Sequence, residues 1–97
     1  MKVIKWSERP LKRLDQIHDF ISKDSEKAAN KVIAQIVKRA DAIKLFPLSG
    51  IEYRYDQNRR YIIYSYYKIF YSIQNDTINI ITVFDCRQHP KKLKKEL

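Results

Sequence analysis

The sequence predicts an α+β domain of order β-α-α-β-β-β, with an antiparallel sheet covered on one face by a two-helix hairpin. Two observations carry most of that expectation. Up to Ile43, apolar residues recur at three- and four-residue spacing, the period of an amphipathic helix. Beyond "FPLSG" the texture changes to runs of Tyr, Ile and Val, residues that suit a pleated, half-buried surface. A third observation, the short β-rich run "KVIKW" at the front, adds the remaining strand.

In chain order, "KVIKW" ends at Ser7, whose hydroxyl suits an N-cap, with Glu8 in the first turn and Pro10 early enough to be tolerated. Leu11, Leu14, Ile17, His18 and Ile21 then form an apolar stripe, with Lys12, Arg13, Asp15 and Asp19 off it, giving a first helix over 8–22. Asp24 and Ser25 offer fresh capping groups. The stripe from Ala29 through Val32, Ile33, Ile36, Val37 and Ala40 to Ile43 marks a longer second helix, ended by Pro47. So short a connection makes the pair an antiparallel hairpin with a joint apolar face. Three strands follow at 59–65, 67–74 and 77–84, with a tight turn at "QNDT". Helices on one face of the sheet leave its other face open to a partner.

Ninety-seven residues make a single domain over 1–97, with 86–97 a basic C-terminal tail that forms one helical turn or stays mobile. Twenty Lys and Arg against eleven Asp and Glu give +9, which favours phosphate backbones, acidic proteins or anionic surfaces as partners. No signal-peptide core and no membrane-length apolar run is present, so cytoplasmic residence and no membrane partner are expected. Cys86 is the only cysteine and reads as a small semi-buried residue at a strand end; no spacing of His or Cys builds a metal site. Gly50 is the only glycine, which argues against a phosphate-cradling loop and a nucleotide cofactor, so no cofactor is expected. His18 reads as a helix-packing histidine and Trp6 as a packing anchor.

All seven tyrosines fall in the nineteen residues from Tyr53 to Tyr71, among Arg54, Arg59, Arg60 and Lys68. Cations neutralise phosphates and rings stack on bases, so the interleaving suits single-stranded RNA; equally, tyrosine is a good strand residue whose ring packs in or beside a core. In extended chain Arg87 and His89 would share a face, Arg87 holding a phosphate or a transition-state charge and His89 moving a proton. The plainer alternative pairs Arg87 with Glu52, Asp56 or Asp85 and leaves His89 a polar loop residue. The lysines of "KKLKK" are either a phosphate-attracting arm or a solvated end.

"WSERPLKRLDQIHDFISKDS", the long helix ending "LFPLSG", and "RRYIIYSYYKIFYSIQNDTINIITVFDCRQHPKKL" together resemble the RelE/ParE superfamily of bacterial type II toxins over essentially the whole chain. Trp6-Ser7, Pro47 with Gly50, "YKIFYSI" and "FDCRQHP" carry the resemblance. It implies a small basic toxin neutralised by a cognate antitoxin. RelE-like members cut mRNA on the ribosome by metal-independent acid/base chemistry; ParE-like members poison DNA gyrase without nuclease chemistry. A RelE-like reading makes Arg87 and His89 catalytic, with Arg60 or Arg59 as second cation and Glu52 as base. Pro90, where some of those nucleases carry tyrosine, and the lysine-rich ending look closer to ParE-like members. On that reading gyrase inhibition is the expected function, and Arg54, Arg59, Arg60, Tyr61, Lys68, Arg87, Lys91 and Lys92 are the candidates for meeting gyrase, antitoxin or nucleic acid.

Overall fold

The computed structural model describes residues 2–97. The chain runs β1 (Val3–Trp6), α1 (Glu8–Ser22), α2 (Glu26–Ala42), a 3-10 turn (Pro47–Ser49), β2 (Ile51–Tyr53), β3 (Asp56–Tyr64), β4 (Tyr67–Gln74), β5 (Thr77–Asp85) and α3 (Pro90–Lys94). The α+β order is as expected, with two short additions, β2 and α3. The five strands form one sheet in the order β1-β5-β4-β3-β2.

One pairing differs from the all-antiparallel expectation: β1 runs parallel to β5, from Val3 beside Thr77 to Trp6 beside Ile80. A hairpin turn forces neighbours antiparallel, but no hairpin joins these two strands. Ser7 is the single residue between β1 and α1, so the chain leaves β1 straight into the helix layer and returns to the sheet only after α2. The other pairings, β2–β3, β3–β4 and β4–β5, are antiparallel.

Local chemistry explains the ends of the elements. The Ser25 hydroxyl accepts from the Ala28 amide at 3.1 Å and so caps α2. Ser7 occupies the N-cap of α1 with extended backbone, yet its side chain makes no capping bond. The two hairpin turns after β3 and β4 place Ser65 and Asn75 at φ 55°, the left-handed region. Gly50 is required by close approach: a Cβ there would strike the Tyr71 hydroxyl and lie 2.8 Å from its Cε1. That hydroxyl accepts from the Gly50 amide at 3.0 Å and donates to the Pro47 carbonyl at 2.7 Å, pinning the segment after α2 to β4.

The main core lies between the helices and the sheet, where Leu14, Ile36, Ala40 and Ile43 meet Ile69, Tyr71, Ile78, Ile80 and Val83. Trp6 and Ile17 pack at its margin, as their positions predict. His18 joins the helices through a 2.8 Å hydrogen bond between Nε2 and Asn30 Oδ1. On β5 the alternation breaks at Ile81, an extra residue between the Tyr71–Ile80 and Phe70–Thr82 pairs. Beyond this bulge Val83 faces the helices, while Phe84 joins Phe70 on the far side.

The far face is not left open. Phe70 and Phe84 are covered there by Leu93 of α3, with Tyr53, Tyr61, Ile81 and Leu97 packed around them. The lysine-rich tail is therefore folded against the sheet through Leu93, with Leu97 at the margin, its lysines staying exposed. Cys86, expected semi-buried, is exposed in the turn that follows β5.

Candidate functional site

Asp85, the last residue of β5, turns the chain and gathers Arg87 to itself. Its Oδ1 accepts from Arg87 Nε and from the Arg87 amide, both at 2.9 Å, and its Oδ2 accepts from the guanidinium at 2.8 Å. This fork-on-fork pairing is the strong form of an arginine–carboxylate contact. The guanidinium also lies 4.4 Å from the centre of the Tyr66 ring and 3.5 Å from the Tyr67 hydroxyl. Hydrogen bonding from Arg87 holds the Asp85 carboxyl below its ordinary pKa against the opposing effect of burial, and the same bond raises Arg87. Burial pushes the Tyr67 hydroxyl up, partly offset by Arg87. Of the three acids weighed for Arg87, Asp85 is the partner.

His89 is engaged elsewhere. It is the N-cap of α3, its Nδ1 accepting from the Lys91 amide at 3.1 Å. The turn between Asp85 and Pro90 removes the extended geometry that would have set Arg87 and His89 on one face.

Arg60 and Glu52 pair with each other at 3.2 Å toward the β2 edge of the sheet. Arg60 also donates to the carbonyls of Leu48 at 3.2 Å and Gly50 at 2.9 Å, which binds β3 to the segment leading into β2. In the β4 register Arg60 stands beside Tyr71, whereas Asp85 stands beside Tyr67. Four residues along a strand are roughly 13 Å, and β4 also separates β3 from β5. Arg87, His89, Arg60 and Glu52 thus do not converge, and the acid, base and cations of an RNA-cleaving centre are not assembled among them.

The remaining candidates are dispersed over the sheet and the tail. Arg59 is held by Asp56 in a close ion pair. Lys68 lies over the Tyr61 ring at 4.6 Å, and Tyr61 itself packs on Phe70 at 5.2 Å. Arg54 covers the exposed Tyr55 from one side at 5.6 Å. Lys91 and Lys92 stand exposed on α3 without an ion-pair partner among the described residues. Tyr67 and Tyr71 are buried, Tyr53, Tyr61 and Tyr64 half-buried, and only Tyr55 and Tyr66 exposed, each with a cation already beside its ring. The tyrosine cluster is therefore mainly packing, which removes most of the ring surface that base stacking requires.

Between α1 and the tail runs a groove of about 830 Å³ along the end of β5. Its lining includes Ile17, Tyr67, Val83 and Phe84, with Arg13, Arg87, Lys92 and Lys95 around them and Phe20 at its side. Phe20 is 65% exposed, a large ring left beside an apolar floor. Of these residues the sequence singled out only Arg87 and Lys92 as site candidates. Phe20 stands off the stripe of the first helix, a signal that it serves something other than the core. Among the described residues no group of acids, histidines or cysteines forms a metal site, and no helix is long and apolar enough to cross a membrane.

Residues 4–90 match the family model described as the ParE toxin of the parDE type II toxin-antitoxin system. The protein named "Putative toxin Y4kP" of Sinorhizobium fredii is 38% identical over 88 residues, a span covering 90% of this chain and 91% of that one. The fold is similar to that in a solved structure titled "Chromosomal ParDE TA system from P. aeruginosa", with a TM-score of 0.77 and 17% identity, covering 88% of this chain and 96% of the other. Nearly the whole folded unit is matched, from β1 to the start of α3, and the chain belongs to the ParE toxin family of type II toxin-antitoxin systems.

Proposed function

We propose that the chain arrests growth by inhibiting DNA gyrase through protein contact, without nuclease chemistry, and that a cognate antitoxin neutralises it in the cytoplasm. The observation that carries the choice of target is the Arg87–Asp85 fork. An arginine already paired with a carboxylate offers less charge to a phosphate, and His89, used as a helix cap, has its Nδ1 lone pair committed. Family membership favours the same side of the division, and the +9 charge suits an acidic neutralising segment. Arg54, Lys68, Lys91 and Lys92, the candidates without an acidic partner among the described residues, remain the cations proposed for contact with gyrase or antitoxin.

The test adds purified chain to gyrase supercoiling reactions and, in parallel, to programmed ribosomes followed by primer extension on the message. Inhibited supercoiling with intact message is expected. Cuts in the ribosomal A site with unaffected supercoiling would make the chain an endonuclease and return Arg87 to a catalytic role.

A further inference from the structure

Glu96 is the only acidic residue beyond Asp85, in a segment that otherwise carries Lys91, Lys92, Lys94 and Lys95. Its position is not that of a solvated end. Its Oε1 accepts from Arg13 Nε of α1 at 2.6 Å and from the Thr82 hydroxyl of β5 at 2.8 Å, and its backbone carbonyl accepts from Arg9 at 2.8 Å. The Glu96 side chain retains 10% of its exposure, and Thr82 is fully buried. One carboxylate thus joins the tail to α1 and to the strand beneath.

The strand beneath has a free edge. β1 stops beside Ile80, so from Ile81 to Asp85 β5 pairs with β4 on one side and, among the described residues, with no strand on the other. Backbone donors and acceptors on such an edge invite an added strand unless something covers them. Here the groove beside α1 leaves room, its apolar floor of Val83 and Phe84 suits alternate side chains of an extended peptide, and its rim is basic.

We propose that Arg13 and Thr82 form a carboxylate-binding subsite for an extended acidic segment of a partner protein, which adds along Ile81–Asp85, and that Glu96 fills this subsite until the partner's carboxylate replaces it. This rests on the reading that a protein segment neutralises the chain. Exchange of one carboxylate for another preserves the bonds of Arg13 and the buried Thr82 hydroxyl. A segment lacking an acid would displace Glu96 and leave those donors unmet, so the latch selects for acidic partners. Leu93 and Leu97 anchor the tail independently of Glu96, which allows the carboxylate to be exchanged while the tail stays docked.

The probes are fluorescently labelled decapeptides, one alternating Val and Glu and one alternating Val and Gln, and a labelled oligonucleotide of ten thymidines. Each is titrated into the full chain, with hydrogen exchange locating the contact. The Val-Glu peptide is expected to bind and protect Ile81–Asp85, and the Val-Gln peptide to bind at least tenfold more weakly. Glu96→Gln, which keeps the shape of the latch and removes its charge, tightens Val-Glu binding about tenfold; adding Arg13→Gln cancels that gain. Should Glu96→Gln loosen the fold, Glu96→Asp serves instead, with a smaller gain from its shorter reach. Equal binding of both peptides, tighter binding of the oligonucleotide at the same residues, unchanged affinity on removing the charge, or protection elsewhere would overturn the subsite. Gyrase inhibition without peptide binding refutes this inference alone; peptide binding without gyrase inhibition refutes the target and leaves the subsite standing.

Discussion

On the helix side of the sheet, ten buried side chains from both helices, β4 and β5 form one core, whereas the apolar cluster on the far side has three buried members among the described residues, Phe70, Phe84 and Leu93, beside the buried Thr82. The first is a mutual packing of long elements, in which each contact is backed by several others. The second is closed by a five-residue helix held by one leucine, the Glu96 contacts and the margin around Leu97. Packing density makes the helix side the scaffold. The sparse cover makes the far side and the β5 edge the places where the chain can open to a partner.

The largest expected effect breaks the scaffold. Ile69→Ala on β4, with Ile69 fully buried, should cost about 3 kcal/mol in urea unfolding, because a cavity is left where neighbours cannot collapse. Leu93→Ala should cost about 2 kcal/mol or less, and mainly as local release of α3: tail amides exchange faster while β4 amides keep most of their protection. Equal losses from the two substitutions would erase the difference between the faces.

Asp85→Asn acts on the hinge between β5 and the tail, and its cost should not exceed about 1 kcal/mol, since Arg87 is half exposed. The pH dependence has a definite sign. Because the folded carboxyl is held below the ordinary carboxylate value, its contribution is fully present above about pH 4 and is lost as pH falls through the lower folded value. Acid titration of the wild type and Asp85→Asn should therefore converge at low pH. The smallest effect is a control on both faces. Ser65→Gly and Asn75→Gly relieve left-handed backbone at the two turns and should each stabilise the whole sheet by about 0.5 kcal/mol, read as equal shifts on either side.

The same contrast explains what could be read beforehand. The helix hairpin was legible because Leu14, Ile36, Ala40 and Ile43 repeat at helical spacing, and the last three strands because β-formers cluster between turn residues. The parallel pairing of β1 was not, since no local signal records the direction of a strand lacking a hairpin neighbour. Nor was the bulge at Ile81, which moves Val83 and Phe84 to faces that unbroken alternation would exchange. At the candidate site, Asp85 was among three acids weighed for Arg87, and geometry selects it. The separation of Arg60 and Glu52 from Arg87 follows from strand order, which the sequence did not disclose. Glu96 did carry a signal, a single acid within a lysine run, but its partners Arg9 and Arg13 lie more than eighty residues away.

Native-state hydrogen exchange across a urea series tests the division between scaffold and cover most directly. Amides of Ile69, Tyr71 and Ile78 should exchange only through global unfolding, while those of Leu93 to Leu97 and the free edge at Ile81–Asp85 exchange through a smaller opening with little urea dependence. A single exchange class, with tail, edge and core opening together, would contradict it: the tail and the β5 edge would then belong to one cooperative core rather than to a separate, weaker cover.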